Sequence, residues 1–397
     1  MNLYITFYSL YTLFRPCLDI GNGFSFGVEK EKDDEFLFLS SNTTTKKIYD
    51  EIQKYNPEKI FCSLWYSRQL RLIAPLLNEK WILGGPLTQR TFFPKIINPN
   101  GATVHTGLIE AYFGKEMSSK FSPYFEEFIN SHYVEPGTPI SYSVSIGFGC
   151  YWNKCRFCIR KDLVDRGVGS GVIYRPNTES ILDSLPEFKN LNVIVHTSLD
   201  ALTPYILEKV LSAKKTVILR SFLRAEEKIL EIVKKYDDLS NQRFSIGFEW
   251  FSQEIVDILN KGIKLTTALE LVEAIVERGG RVNVLTMQNY PFHTKESVKE
   301  CIDNLSKLSK LRKKFDSISI FDFGPTWWPP YERSNFDWKA RDSAIDERFI
   351  FDIPKDSEQY RYEQEVLEYI KKENIPYRCV GESKENVEND LCTTVSS

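Results

Sequence analysis

The chain has 397 residues, 42% hydrophobic and 26% charged, enough for roughly two or three buried cores. Its 51 basic and 54 acidic residues leave a net charge of −3, which argues against nucleic acid as the main partner. No apolar run of about 18 residues appears, so no membrane span is expected. Met1 to Phe14 is apolar but lacks a basic start and a small-residue cleavage site, so it does not read as a signal peptide. The 8 cysteines are too sparse for a disulfide framework, and a reducing, cytoplasmic setting fits them.

In chain order, the first apolar run is Phe36 to Leu39, and Thr45 to Tyr55 then reads as a helix. Lys59 to Tyr66 is strand-like, Gln69 to Leu77 helical, and Trp81 to Leu83 a strand that runs into Gly84-Gly85-Pro86. Strands separated by single helices imply a parallel sheet. Residues 1–95 therefore read as a small Rossmann-like α/β layer, and residues 96–139 as a helical connector. Two prolines and a glycine in Glu135 to Pro139 mark a boundary.

Beyond it, strands are expected at Ser141–Ile146, Asn192–Thr197, Thr216–Ser221, Phe244–Phe248, Arg281–Met287 and Ser317–Phe323. Helices are expected at Thr178–Phe188, Tyr205–Ser212, Ala225–Tyr236 and Lys295–Leu311. Another starts near Thr267, where Thr267 and Glu270 have capping-box spacing, and stops at Gly279-Gly280. Such alternation over residues 140–334 predicts a partial or complete parallel (β/α)6 TIM-like barrel, whose chemistry belongs at the carboxyl ends of the strands. Residues 335–397 form a polar extension with a helix over Ser357–Lys372 and a loose end.

Directly after the first barrel strand stands Gly147-Phe148-Gly149-Cys150-Tyr151-Trp152-Asn153-Lys154-Cys155-Arg156-Phe157-Cys158. Three thiolates at C-x4-C-x2-C spacing can grip one metal centre: zinc, copper(I) or an iron–sulfur cluster. A structural zinc site uses four closed ligands, and no fourth Cys or His lies near this loop. Three ligands leave one iron of a cluster open.

This loop resembles that of the radical S-adenosylmethionine (SAM) enzymes, in which three cysteines hold a [4Fe–4S] cluster and an aromatic residue, here Phe157, precedes the last one. The first gap is four residues where the family usually has three. The likeness extends to Ile246–Gly262, similar to the family's fourth-strand block, and to Val282–Glu296, similar to its fifth. It implies reductive cleavage of SAM and hydrogen abstraction from an unactivated C–H bond, with an electron donor protein of flavodoxin or ferredoxin type. The family's glycine-rich SAM motif is absent; Ser198 and Asp200 stand at that strand end. Arg220 is placed for the SAM carboxylate and Glu249 for the ribose or amino group, or the two form a barrel-mouth ion pair.

A Rossmann-like layer ahead of such a barrel resembles the cobalamin-binding class, with Gly84 and Gly85 in the loop that approaches the corrin. No His precedes His105, so no imidazole of residues 1–95 can ligate cobalt from below. The alternative is a layer that only packs the barrel. The reaction is then C-methylation or another radical outcome, on a small-molecule or peptide substrate. Two rivals stay open: a zinc-binding protein, and a degenerate barrel acting as a binding partner. Cys17, Cys62 and Cys301 read as buried apolar residues, His293 as a packed side chain or a general base, and Cys379 and Cys392 as too few for a second cluster. Trp327 to Tyr331 either clamp a substrate or seal the barrel.

Overall fold

The computed structural model describes residues 1–11, 16–20, 33–40, 43–64, 67–85, 100–105, 109–115, 140–145, 147–148, 150–158, 173–174, 191–196, 201–212, 218–288, 290, 292–311, 317–322, 340–342, 349–351 and 354–380. The chain divides into two compact units. Unit 1 comprises Met1–Gly149, Gly167–Asp200 and Ser212–Leu219; unit 2 comprises Cys150–Arg166, Ala201–Leu211 and Arg220–Ser397.

Unit 1 contains β1 (Asn2–Tyr11), β2 (Pro16–Ile20), β3 (Glu35–Ser40), β4 (Lys59–Ser63), β5 (Trp81–Gly84), β6 (Thr103–Val104), β7 (Ile140–Ser145), β8 (Gly147–Phe148), β9 (Ile173–Tyr174) and β10 (Leu191–His196). Leu3, Tyr4 and Ile5 of β1 pair in parallel with both β3 and β4, so those strands flank it on opposite sides. β5 and β6 continue beyond β4, giving the order β3-β1-β4-β5-β6. Numbered by sequence among these five, that is 2-1-3-4-5, the flavodoxin-like doubly wound order. The outer end of β1 turns back into antiparallel β2, which pairs in parallel with β7, and β7 pairs with β10. β8 and β9 form a separate two-stranded pair.

The sequence pattern passes over β1 because its side chains do not alternate. Leu3, Tyr4, Ile5, Thr6 and Phe7 are all buried, as in a central parallel strand covered on both faces. Helix Thr45–Gln53, capped by Thr44, lays Ile48 and Ile52 on the apolar cluster of Leu3, Ile5, Phe7, Cys62, Trp81 and Leu83. Each such buried side chain contributes about 1.5–3 kcal/mol relative to exposure.

In unit 2, β11 (Ile218–Leu223), β12 (Gln242–Glu249), β13 (Arg281–Gln288) and β14 (Ser317–Asp322) lie side by side in sequence order. β12, β13 and β14 pair in parallel. Helices Glu227–Lys234, Gln253–Ile258, Leu265–Glu277 and Lys295–Ser309 connect them. β15 (Ala340–Asp342) and β16 (Phe349–Phe351) make a small antiparallel pair.

Two expectations need correction. The carboxyl-terminal segment is not a loose end throughout: after helix Glu358–Lys372, β17 (Tyr377–Val380) adds in parallel to β14. Thr267 is not a helix cap either. The helix starts two residues earlier at Leu265, and the Thr267 hydroxyl donates to Glu227 on a neighbouring helix at 2.8 Å. A capping box does occur at Thr294 and Ser297. Among the described residues no helix is long and apolar enough to cross a membrane.

Candidate cofactor site

Residues 150–158 are held by contacts to a segment about a hundred positions away in the chain. The Arg156 N–H donates to the Leu259 carbonyl at 2.9 Å, and the Trp152 indole N–H to the Asn260 carbonyl at 3.0 Å. The Asn260 side chain returns a bond to the Lys154 carbonyl at 2.9 Å. Within the loop, the Cys158 N–H reaches the Cys155 carbonyl at 3.3 Å. Asn153 sits at φ +47°, a left-handed position that asparagine tolerates well. Gly262 sits at φ +66°, and a Cβ there would lie 2.0 Å from the Trp152 ring, so glycine is required where the indole lies on the backbone.

Arg224, just past β11, locks this junction. It is 3% exposed, and its guanidinium lies 4.4 Å from the Trp152 ring centre and 5.9 Å from that of Tyr151. Nη2 donates to the Lys261 carbonyl at 2.6 Å, and Nε pairs with Glu226 at 2.6 Å. A planar cation that stacks on one face and donates at its edge fits this position; a lysine does not.

Lys261 follows directly. Its ammonium donates to Glu249 Oε1 and lies 5.9 Å from the Phe157 ring centre. Burial opposes the charge on Lys261, but Glu249 and Cys155 outweigh it and hold its pKa up. Burial pushes the Cys155 thiol up, and Lys261 pulls against that shift. Glu249 is 7% exposed and sits at φ +67°, where the pairing of β12 with β13 slips between Gly247 and Glu249. Such a bulge re-aims the side chain at the end of a strand.

The structure therefore brings Cys155, Phe157 and Glu249 together and adds Arg224, Lys261 and Trp152, which sequence reasoning missed. Cys155 is buried, while Cys150 and Cys158 are half-buried, and all three are thiols. Among the described residues no group of three or more His, Cys, Asp or Glu side chains is already gathered to hold a metal ion. Arg220 lies on β11, its side chain outside the described residues, and Ser198 and Asp200 lie outside them altogether. Trp327 to Tyr331, Cys392 and the expected helix Thr178–Phe188 also lie outside.

Gly84 and Gly85 close β5 in unit 1. Gly85 is at φ +93°, and a Cβ there would lie 2.6 Å from the Leu64 carbonyl oxygen and 2.9 Å from Ser63 Oγ. The hydroxyls of Ser63, ending β4, and Thr43, following β3, are buried and make no hydrogen bond among the described residues. Cys62 and Cys301 are buried as expected. His293, past β13, is packed rather than exposed: it lies edge-on to Trp250 and Tyr290, with Nε2 3.5 Å from Glu363 Oε2.

Comparison with known proteins supplies the context for this loop. No curated protein matches the chain. The solved structure of the cobalamin-dependent SAM radical enzyme OxsB, with aqua-cobalamin and SAM bound, aligns with TM-score 0.50 at 12% identity, covering 79% of this chain and 53% of that one. The chain thus spans about half the length of that structure. The radical SAM methyltransferase TsrM from Kitasatospora setae, with cobalamin and a [4Fe–4S] cluster bound, aligns with TM-score 0.47 at 11% identity, covering 80% of this chain and 74% of that one. The OxsB likeness supports the fold: a Rossmann-like layer with a TIM-like α/β barrel. Residues 144–305 match the radical SAM superfamily, whose cofactors are a [4Fe–4S] cluster and SAM. That matched stretch contains the cysteine loop, Arg224, Glu249 and Lys261.

Proposed function

We propose that the chain is a radical SAM enzyme in which Cys150, Cys155 and Cys158 hold a [4Fe–4S] cluster. The observation that supports this most directly is three thiols on one short loop, bonded through its backbone and through Trp152 to residues 259–260. Thiolates are the donors such clusters use, and on this reading the three side chains close on the cluster as it assembles. When bound, the cluster supplies the electron that cleaves SAM to methionine and a 5′-deoxyadenosyl fragment able to take hydrogen from an unactivated C–H bond.

The chain's own residues position SAM and shield it from water. Arg220 on β11 is assigned to the SAM carboxylate, and Ser198 and Asp200 to its amino group. Glu249 offers the ribose or amino group Oε2, the oxygen that does not accept from Lys261. Phe157 covers the loop beside Cys158.

We assign residues 1–95 to a cobalamin-binding layer, 96–139 to a connector, 140–334 to the barrel and 335–397 to an extension. The 2-1-3-4-5 strand order supports a ligand crevice at the carboxyl ends of the strands. There Ser63 and Thr43 carry buried hydroxyls, and Gly85 packs against Leu64 and Ser63. Bound cobalamin would supply a methyl carrier, making C-methylation of a small molecule or peptide the outcome. The electron donor is a low-potential protein of flavodoxin or ferredoxin type. An oxygen-labile cluster calls for a reducing compartment, which we take to be the cytoplasm.

The test is anaerobic reconstitution with iron and sulfide, followed by SAM and dithionite, with 5′-deoxyadenosine as the readout. The parent is expected to form it and Cys155→Ala to lose it entirely. A chain that binds one zinc and no iron would overturn the assignment.

A further inference from the structure

We propose that Lys261 is a positioning residue that sets the charge around the cysteine loop and thereby the reduction potential of the cluster. The inference rests on the reading of that loop as the cluster site. It comes from an arrangement no motif marks: a buried ammonium held by fixed backbone near the ring of Phe157, the residue before Cys158. Lys261 N–H donates to the Val256 carbonyl at 3.1 Å, and its own carbonyl receives Arg224 at 2.6 Å, so the peptide is held at both ends. Its side chain is only 12% exposed. Nζ donates to Glu249 and stands 5.9 Å from the Phe157 ring centre.

Gly247 keeps the path open, because a Cβ there would lie 2.8 Å from both Lys261 Nζ and Glu249 Oε1. Asn260, which bonds the Lys154 carbonyl, is the next residue back in the chain. The cation is therefore built into the same junction that braces the loop. Arg224, Lys154 and Arg156 are further cations there, but the Arg224 guanidinium is directed at carbonyls and Glu226, and Lys154 Nζ lies over the Trp152 ring at 5.0 Å.

Adding one electron to a three-thiolate cluster adds one negative charge. A fixed cation nearby favours that reduced form, and a fixed carboxylate disfavours it. At the effective dielectric of protein sites, a unit charge within roughly 6–8 Å shifts such an equilibrium by more than tenfold. Glu249 damps the effect of Lys261 in the parent. Removing Lys261 both deletes the cation and leaves that carboxylate uncompensated, whereas removing the carboxylate unmasks the cation.

The experiment is a potentiometric titration of the reconstituted protein followed by electron paramagnetic resonance, with iron and sulfide counted in every sample. Parent, Lys261→Met, Lys261→Arg and Glu249→Gln are compared. We expect Lys261→Met to lower the reduced fraction at a fixed potential about tenfold, which is about 59 mV for a one-electron couple. Lys261→Arg keeps the parent potential, and Glu249→Gln shifts it upward. A fully loaded Lys261→Met with the parent potential overturns the proposal while leaving the cluster reading intact. If Lys261→Met fails to fold or load, Glu249→Gln decides, and an unmoved potential there overturns the proposal. A parent that takes up no iron overturns the cluster reading and this inference together.

Discussion

The cysteine loop of unit 2 and the strand ends of unit 1 differ in how many of their polar groups are paired. Around the loop, Trp152, Arg224, Asn260, Lys261 and Glu249 bond to one another or to backbone, although Asn153 Oδ1 is buried without a partner among the described residues. Past β3 and at the end of β4, the Thr43 and Ser63 hydroxyls are buried and make no hydrogen bond among the described residues. Buried polar groups without partners cost about 1–3 kcal/mol each, so they mark places where something other than stability sets the residue. The loop is thus braced mainly by side-chain bonds, whereas these two strand-end hydroxyls brace nothing among the described residues.

The largest effect is expected where the self-bonded region is cut. Arg224→Met should cost about 3 kcal/mol or more, because it strips a buried guanidinium from two ring faces and leaves the Lys261 carbonyl and Glu226 unbonded. Thermal melting should show the loss, and iron content after reconstitution should fall with it. An Arg224→Met protein that melts like the parent and loads full iron would show that the loop does not depend on this junction.

Gly262→Ala comes next. The left-handed φ of +66° costs a non-glycine residue about 1–2 kcal/mol, and the new Cβ would displace the Trp152 ring. Reduced iron loading is expected, with Trp152→Leu in the same chain restoring part of it by making room. Gly85→Ala is its counterpart in unit 1, at φ +93° against Leu64 and Ser63. It should cost a similar amount and weaken cobalamin binding, read by absorbance, while iron per chain stays at the parent value. Loss of iron in Gly85→Ala would break the distinction between the two regions.

These partners explain what was legible in the sequence. Cys150, Cys155, Cys158 and Phe157 stand within one short stretch, so spacing alone marks them. Strands β4, β5 and β12 to β14 show as apolar runs between helices. Arg224, Lys261 and Trp152 did not show, since their bonds span 37, 12 and 108 positions and leave no periodic trace. β1 was hidden because both of its faces are buried, and β17 because a four-residue strand follows a highly charged helix. Thr267 matched a local capping pattern, but its hydroxyl bonds across to Glu227, a tertiary contact that overrides the local one.

The smallest expected effect is the sharpest test of the contrast. Ser63 is 2% exposed and its Oγ makes no hydrogen bond among the described residues, so deleting that oxygen removes a desolvated group and breaks none of the described bonds. Ser63→Ala should leave the melting temperature unchanged or raise it by the equivalent of about 1 kcal/mol or less. The same substitution should weaken cobalamin binding if the hydroxyl faces the ligand crevice, giving a protein that is as stable as the parent and binds less. A clear loss of stability would instead mean that Ser63 supports the fold. The strand ends of unit 1 would then be braced by their own side chains, just as the cysteine loop is.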